Sequence, residues 1–165
     1  MQTRVGYAGA HTESPTYRQI GDHAEVLRVV YDPASTDYDS LLDHYRETHT
    51  PRRSFGQYRS VLIPADSEQH KSAVSYVLAL GGPIDPEVVA LNTPEARFWD
   101  AEDYHQKYRL RRNQALVPLL REALGPRWDE HTIATRLNAA GEAGFDASGW
   151  LDGLSPETRR VFLRG

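Results

Sequence analysis

The chain has 165 residues, with 23 acidic against 19 basic side chains and a formal net charge of −4, a length that suits one domain able to bury roughly two thirds of its unfolded surface. Mild acidity without a basic, aromatic-laced stripe argues against nucleic acid as a partner, and with no apolar run near the roughly 18 residues of a membrane span and no signal-peptide pattern, no membrane is expected and the expected compartment is the cytoplasm. Cysteine is absent, which excludes disulfides, thiolate metal sites and a cysteine nucleophile within these residues.

Met1 to Ala8 suits a short strand, and GAHTESPTY then supplies Gly9, Ser14 and Pro15 as loop residues before Tyr17. Ala24 to Tyr31 is rich in Val with Leu and Tyr, which predicts a strand with Glu25, Leu27, Val29 and Tyr31 on one face and Ala24, Val26, Arg28 and Val30 on the other. Both faces are largely apolar, so a central strand is expected rather than an edge. A carboxylate in that company is costly to desolvate. Glu25 therefore needs either a cation such as Arg28 or Arg59 or the protonated form, and a protonated carboxyl is what a general acid offers.

Thr36 and Asp39 form a capping-box pattern, and Tyr38, Leu41, Leu42 and Tyr45 follow at helical spacing. His49-Thr50-Pro51 closes that helix. After the loop RRSFG, Gln57 to Ile63 reads as a second long strand stopped by Pro64. Ser67 caps a helix whose stripe is Ala73, Val74, Val77 and Leu78 and which Gly81-Gly82-Pro83 ends. Val88 to Leu91 is a short strand, Thr93-Pro94 a cap with a proline at the first helical position, and FWDAEDYHQKYRLRRN from Phe98 a helix with Tyr104 and Tyr108 on one face. Leu116 to Leu124 is helical with Pro118 either in its first turn or kinking it, Asp129 to Ala140 groups Ile133, Ala134 and Leu137, and Ser155-Pro156 starts a terminal helix. Strands alternating with helices, then a helical tail, give an α/β or α+β domain.

The histidines invite a metal reading, since His23 and Glu25 project to one face of a strand and His44 and His49 flank a helix end. The separation of the latter two puts them on different helix faces, so a common ligand set is not expected, and neither a metal nor a cofactor is called for. Arg109, Arg111 and Arg112 read as a solvated helix face.

Several blocks, namely VGYAGA, PTYRQIGDHAEVLRVVYDP, the helix with its HTP exit, QYRS and FWDAEDYHQKY, stand from residue 5 to about residue 112. In that order they resemble blocks of the peptide-methionine (S)-S-oxide reductases, the A-type methionine sulfoxide reductases. The tail, with ATRLN at Ala134 to Asn138, looks like that of a subgroup with a short loop before QYRS. The resemblance implies a ferredoxin-like core over residues 1–112, a helical extension over residues 113–165, and methionine sulfoxide, in peptides or as the free amino acid, as substrate. In the family a cysteine in a GCFWG block attacks the sulfoxide sulfur, a Glu delivers a proton to the oxygen, and two Tyr hydroxyls hold that oxygen. Carried over by motif, the Glu is Glu25, the first Tyr is Tyr17 of PTY and the second is Tyr58 of QYRS, with His23 and His105 as supporting groups behind them.

Two departures stand out. No GCFWG block is found, and where the family's GNDxGxQYRS loop brings an Asp into the site, RRSFGQYRS offers Arg53 or Ser54. With Met1 to Ala8 mapped on the family's second strand, the core lacks its first strand and helix, and the third and fourth strands are expected to pair directly or to borrow a strand in a homodimer. Three readings follow: a reductase-family chain inactive on its own as a thiol reductase, a cysteine-free pseudoenzyme binding a sulfoxide or peptide, or a repurposed acid/base enzyme using Glu25.

Overall fold

The computed structural model describes residues 1–49, 56–81, 86–140 and 155–156. They are mixed helix and sheet in two compact units, Val5–Ala101 and Met1–Arg4 together with Glu102–Gly165. No helix among the described residues is long and apolar enough to cross a membrane.

Apart from residues 2–4 of β1, the Val5–Ala101 unit holds a three-stranded sheet of order β2-β1-β5, where β1 is Gln2–Ala8, β2 is Ala24–Val30 and β5 is Trp99–Asp100. β5 runs antiparallel to β1, with Gly6 opposite Asp100 and Tyr7 opposite Trp99. Gly6 permits this approach: a Cβ there would lie 2.3 Å from the Trp99 carbonyl oxygen and 2.4 Å from the Phe98 ring. Guanidinium groups cap both aromatics, Arg28 at 4.3 Å from the Phe98 centroid and Arg97 at 3.7 Å from that of Trp99.

β2 lies at the edge of this sheet, not at its centre. Ala24 is buried, but Leu27 is 59% and Val30 is 54% exposed. Branched and aliphatic side chains were enough to make the strand, yet their presence on both faces reports β-propensity here and not burial on both sides.

A second sheet pairs β3, Val61–Leu62, in parallel with β4, Glu87–Val88. Over it pack α1, Tyr38–Thr48, and α2, Ser67–Leu80, around buried Leu42, Leu62 and Ala73, with Tyr38, Tyr45, Tyr76, Val77 and Val88 against them. α1 is capped by Asp37, whose carboxylate accepts from the Ser40 amide at 2.7 Å, one residue later than Thr36. α2 is capped by Asp66, which accepts from the Glu68 and Gln69 amides at 2.9 Å each, so that Ser67 becomes the first helical residue. Gly81, at φ 57°, ends α2 as expected of a left-handed C-terminal glycine.

The long strand expected over Gln57 to Ile63 shrinks to β3. Gly56–Tyr58 instead forms a 3₁₀ turn closed by the Arg59 amide on the Gly56 carbonyl at 3.1 Å. β2 and β3 fall in different sheets, so the direct pairing expected of the two long strands is not found among the described residues. Thr50, Pro51, Arg53, Ser54 and the Gly82-Pro83 stop lie outside the described residues, as does nearly all of the helix expected from Ser155.

The other unit holds α3, Tyr108–Arg111, α4, Leu116–Leu124, and α5, Thr132–Ala140, around Leu110, Leu116, Leu120, Trp128, Ala134 and Leu137. Pro118 sits in the first turn of α4, where its missing N–H costs nothing. The helix expected from Phe98 is confined to α3, because Trp99 and Asp100 are drawn into the sheet and the intervening turns end at Lys107, with φ 51°. Nor is the arginine run one solvated face. Arg111 donates to the Gln106 carbonyl at 2.7 Å and to Asp129 at 3.2 Å and lies 4.9 Å from the Trp128 ring centroid, while Arg109 and Arg112 are exposed.

Candidate functional site

β2 carries Glu25 as its second residue, and the edge position of the strand leaves that residue exposed. The desolvated setting expected for its carboxylate is therefore not what surrounds it. Nor do the arginines named as its partners engage it: among the described residues Arg28 is 4.0 Å from Asp100, and Arg59 is 3.5 Å from Glu87.

The turn into β2 is tightly bonded. His23 is fully buried, and its Nε2 lies 2.7 Å from the Thr12 carbonyl oxygen. A carbonyl can only accept, so Nε2 carries a proton, while the buried Nδ1 has no hydrogen-bond partner among the described residues. The Thr12 hydroxyl donates to Asp22 at 2.8 Å; this bond holds the Asp22 carboxyl below the usual carboxylate range. Gly21, at φ 64°, must be a glycine here because a Cβ would lie 2.6 Å from the Thr12 hydroxyl oxygen.

Tyr17 sits on the reverse turn from Thr16 to Gln19, closed by reciprocal backbone hydrogen bonds of 3.3 and 3.0 Å, and is 47% exposed. Tyr58 ends the 3₁₀ turn Gly56–Tyr58, which packs against β2, and is 62% exposed. The next residue, Arg59, reaches from that turn to the loop before β2, donating from Nη1 to the Asp22 carbonyl and from Nη2 to the Gly9 carbonyl. Tyr58 and Glu25 are thus carried on segments joined by one guanidinium. The sequence offers Arg59 only as a cation for Glu25, and Gly9, Thr12 and Asp22 not at all as site-forming residues. The available signal was the glycine directly after β1, which marks a close backbone approach.

His49 and Ser60 form a further polar pair, Nε2 to Oγ at 2.9 Å, with the Tyr45 ring stacked on the imidazole at 4.5 Å. Burial pushes the Tyr45 phenol up. His105 belongs to the other unit, where its ring centroid lies 4.2 Å from that of Tyr104. Among the described residues no group of three or more His, Asp or Glu is placed to hold a metal ion.

An accessible carboxyl and two accessible phenols, on a bonded frame, are able to hydrogen-bond a polar ligand. The family model for peptide methionine sulfoxide reductase matches residues 1–128, which include all three groups. The chain belongs to the peptide methionine sulfoxide reductase family. It is 36% identical over 172 residues to a peptide methionine sulfoxide reductase of Drosophila melanogaster, covering 97% of this chain and 68% of that protein. The MsrA proteins of Haloquadratum walsbyi and Nocardia farcinica are 39% and 38% identical over 114 and 120 residues, covering 62% and 67% of this chain and 66% and 71% of theirs. The chain spans about two thirds of the length of the curated relatives it matches.

Proposed function

We propose that this chain serves the reduction of methionine-S-sulfoxide, in peptides or as the free amino acid, with Glu25 as the proton donor to the sulfoxide oxygen and Tyr17 and Tyr58 as the hydroxyls that hold it. The observation that carries the reading is the family match through residues 1–128, in which the motif-bearing Tyr17, Glu25 and Tyr58 are all present and all solvent-accessible. Sulfoxide oxygen is a poor leaving group until protonated, and donors aimed at it act on charge that develops as the S–O bond breaks. The reaction also needs a nucleophile at sulfur, and no cysteine is among the 165 residues. On this reading these residues bind and protonate the sulfoxide but do not reduce it alone.

The finer architecture in the same proposal is a ferredoxin-like core, its first strand and helix not among these residues, followed by a helical extension after residue 112. The adjacency of β1 and β2, standing for the second and third strands, supports it. A second copy adding a strand at the exposed β2 edge, and a cytoplasmic setting, also belong to the proposal. The pseudoenzyme reading differs only in ending at binding, and it too is favoured by the absence of a thiol.

The test is a titration of the isotope-labelled protein with the S and R epimers of N-acetylmethionine sulfoxide, followed by NMR at Tyr17, Glu25 and Tyr58. Perturbation of all three by the S epimer in preference to the R epimer is expected. No response, or an equal response to both epimers, would defeat the reading and leave general acid/base chemistry at Glu25 as the alternative.

A further inference from the structure

We infer that Arg59 is a positioning residue of this site, a side chain that sets where the Tyr58 segment stands relative to Glu25 and the Tyr17 loop. The inference rests on the sulfoxide reading for its functional meaning, and on geometry for the placement.

Arg59 follows Tyr58 directly, and its guanidinium reaches three separate segments, donating to two of them. Nη2 donates to Gly9 at the end of β1, Nη1 to Asp22 at the entrance to β2, and Nε lies 3.5 Å from the Glu87 carboxylate at the start of β4. A planar guanidinium suits this work because its donors leave in fixed directions, so that two accepting carbonyls define the orientation of the group. Those carbonyls bracket the loop from Gly9 to Asp22, which carries Tyr17, and Asp22 stands three residues before Glu25.

The surroundings are built to receive the guanidinium. At Gly9, φ is 89° and a Cβ would lie 2.6 Å from Nη2, so only glycine leaves the carbonyl presented and the guanidinium seated. Gly9 is itself tethered, its amide donating to the Glu95 carbonyl at 2.8 Å. The loop's far end is pinned independently of Arg59 by the two bonds from Thr12 to Asp22 and His23. The loop is therefore closed on itself, and Arg59 supplies the strap that fixes Tyr58 to it. Glu87 makes the third contact, through Nε, and is the dispensable one, because its own carboxylate is exposed and the pair is too long for a hydrogen bond.

Small displacements at such a site matter, since a 1 Å error in placing a reacting group can cost about a hundredfold in rate. The experiment compares the wild-type chain with Arg59→Lys, Arg59→Gln and Glu87→Gln. Because Tyr58 adjoins Arg59 in sequence, the reporters are the Tyr17 ring and the Glu25 carboxyl, which the substitution reaches only through the strap. In the unliganded protein both signals are expected to move in Arg59→Gln, to move less in Arg59→Lys, which keeps one donor to a carbonyl, and to stay in Glu87→Gln. With N-acetylmethionine sulfoxide, the preference for the S over the R epimer is expected to fall about tenfold in Arg59→Gln and to recover in part in Arg59→Lys, a ratio that general loosening of the fold would not change.

Unmoved Tyr17 and Glu25 signals in the folded Arg59→Lys chain would overturn the inference, as would an unaltered S preference. Should the glutamine variant not fold, the lysine variant carries the same two readouts. If the wild-type chain binds neither epimer, the sulfoxide reading falls, and the unliganded signals still decide for or against the strap.

Discussion

Lys107 makes the stability of this protein depend on pH in a direction opposite to that of a surface lysine in an ion pair. The residue is 5% exposed and sits in the left-handed region at φ 51°, with its ammonium donating to the Thr3 carbonyl and lying 3.3 Å from the Thr3 hydroxyl oxygen. Burial pulls its pKa down to about 8 from 10.5, helped by Arg4 and Arg111 and opposed by Asp129 and Glu130. Between those two values the unfolded chain binds the proton and the folded chain releases it, so stability rises with pH through that window. The full difference amounts to about 3 kcal/mol at about 1.4 kcal/mol per pK unit, of which about 2 kcal/mol develops between pH 8 and pH 9.5. Tyr38, whose phenol burial pushes up to about 12, acts in the opposite sense but only above about pH 10, where the unfolded phenol begins to ionise. Urea unfolding at fixed ionic strength from pH 7 to 9.5 should therefore give a rising midpoint. Lys107→Met keeps the aliphatic stem, removes the titration and should flatten that rise, at a cost of about 1 to 3 kcal/mol for the Thr3 carbonyl left without its donor, set against the ammonium no longer desolvated. A wild-type midpoint that is flat or falls over this range, or an equal rise in Lys107→Met, would refute the assignment.

Other expectations are more local. Asp66→Ala should cost about 1 kcal/mol, since it strips both capping bonds from the first turn of α2; chemical denaturation measures it, and a change below a few tenths would mean that water replaces the cap. Gly9→Ala should cost about 1 to 3 kcal/mol, because φ is 89° and the methyl would meet the Arg59 guanidinium at 2.6 Å; the same denaturation checks it. The purified 165-residue protein with dithiothreitol should not reduce methionine-S-sulfoxide peptides above a buffer blank, and turnover that survives removal of contaminating reductases would contradict the assignment of the nucleophile to cysteine chemistry.

What could be read from the sequence followed the strength of the local code. α1 and α2 were legible because a capping pattern and helical spacing agree, joined in α2 by the terminal Gly81. Asp37 and Asp66 displaced Thr36 and Ser67 as caps, since a carboxylate two or three residues ahead of waiting amides accepts from them in preference to the neighbouring hydroxyl. The Gln57 to Ile63 segment was misread because Gly56 and the Arg59 amide close a turn where Tyr, Val, Leu and Ile suggested extension. Phe98 and Trp99 were read as helix although the strand they lie against, with Gly6 and Tyr7, is some ninety positions away, and such pairing is invisible to a window of neighbouring residues. Glu25 stood out from the patterning of its strand, Tyr17 and Tyr58 came from motif resemblance alone, and no periodicity could have shown that Arg59 would tie their segments together.

The edge position of β2 changes what the proposed proton donor requires. A carboxyl gives up a proton to substrate only where its surroundings disfavour the charged form, and solvent at Glu25 does not supply such surroundings. On the proposed reading the missing desolvation arrives with whatever covers the site, so the binding and proton-transfer roles separate in this chain. Glu25→Gln keeps the size of the side chain and supplies amide donors, so the S-sulfoxide should still bind, within about threefold of wild type, as the exchange of one hydrogen-bonding group for another implies. Tyr58→Phe deletes a donor to the same oxygen and should weaken binding by about three- to tenfold, as the loss of one hydrogen bond of about 0.5 to 1.5 kcal/mol implies. NMR titration of both variants measures the two effects side by side. Tighter loss in Glu25→Gln than in Tyr58→Phe would mean that the acid, and not the phenols, holds the ligand, and the division of roles between Glu25 and Tyr58 would have to be reversed.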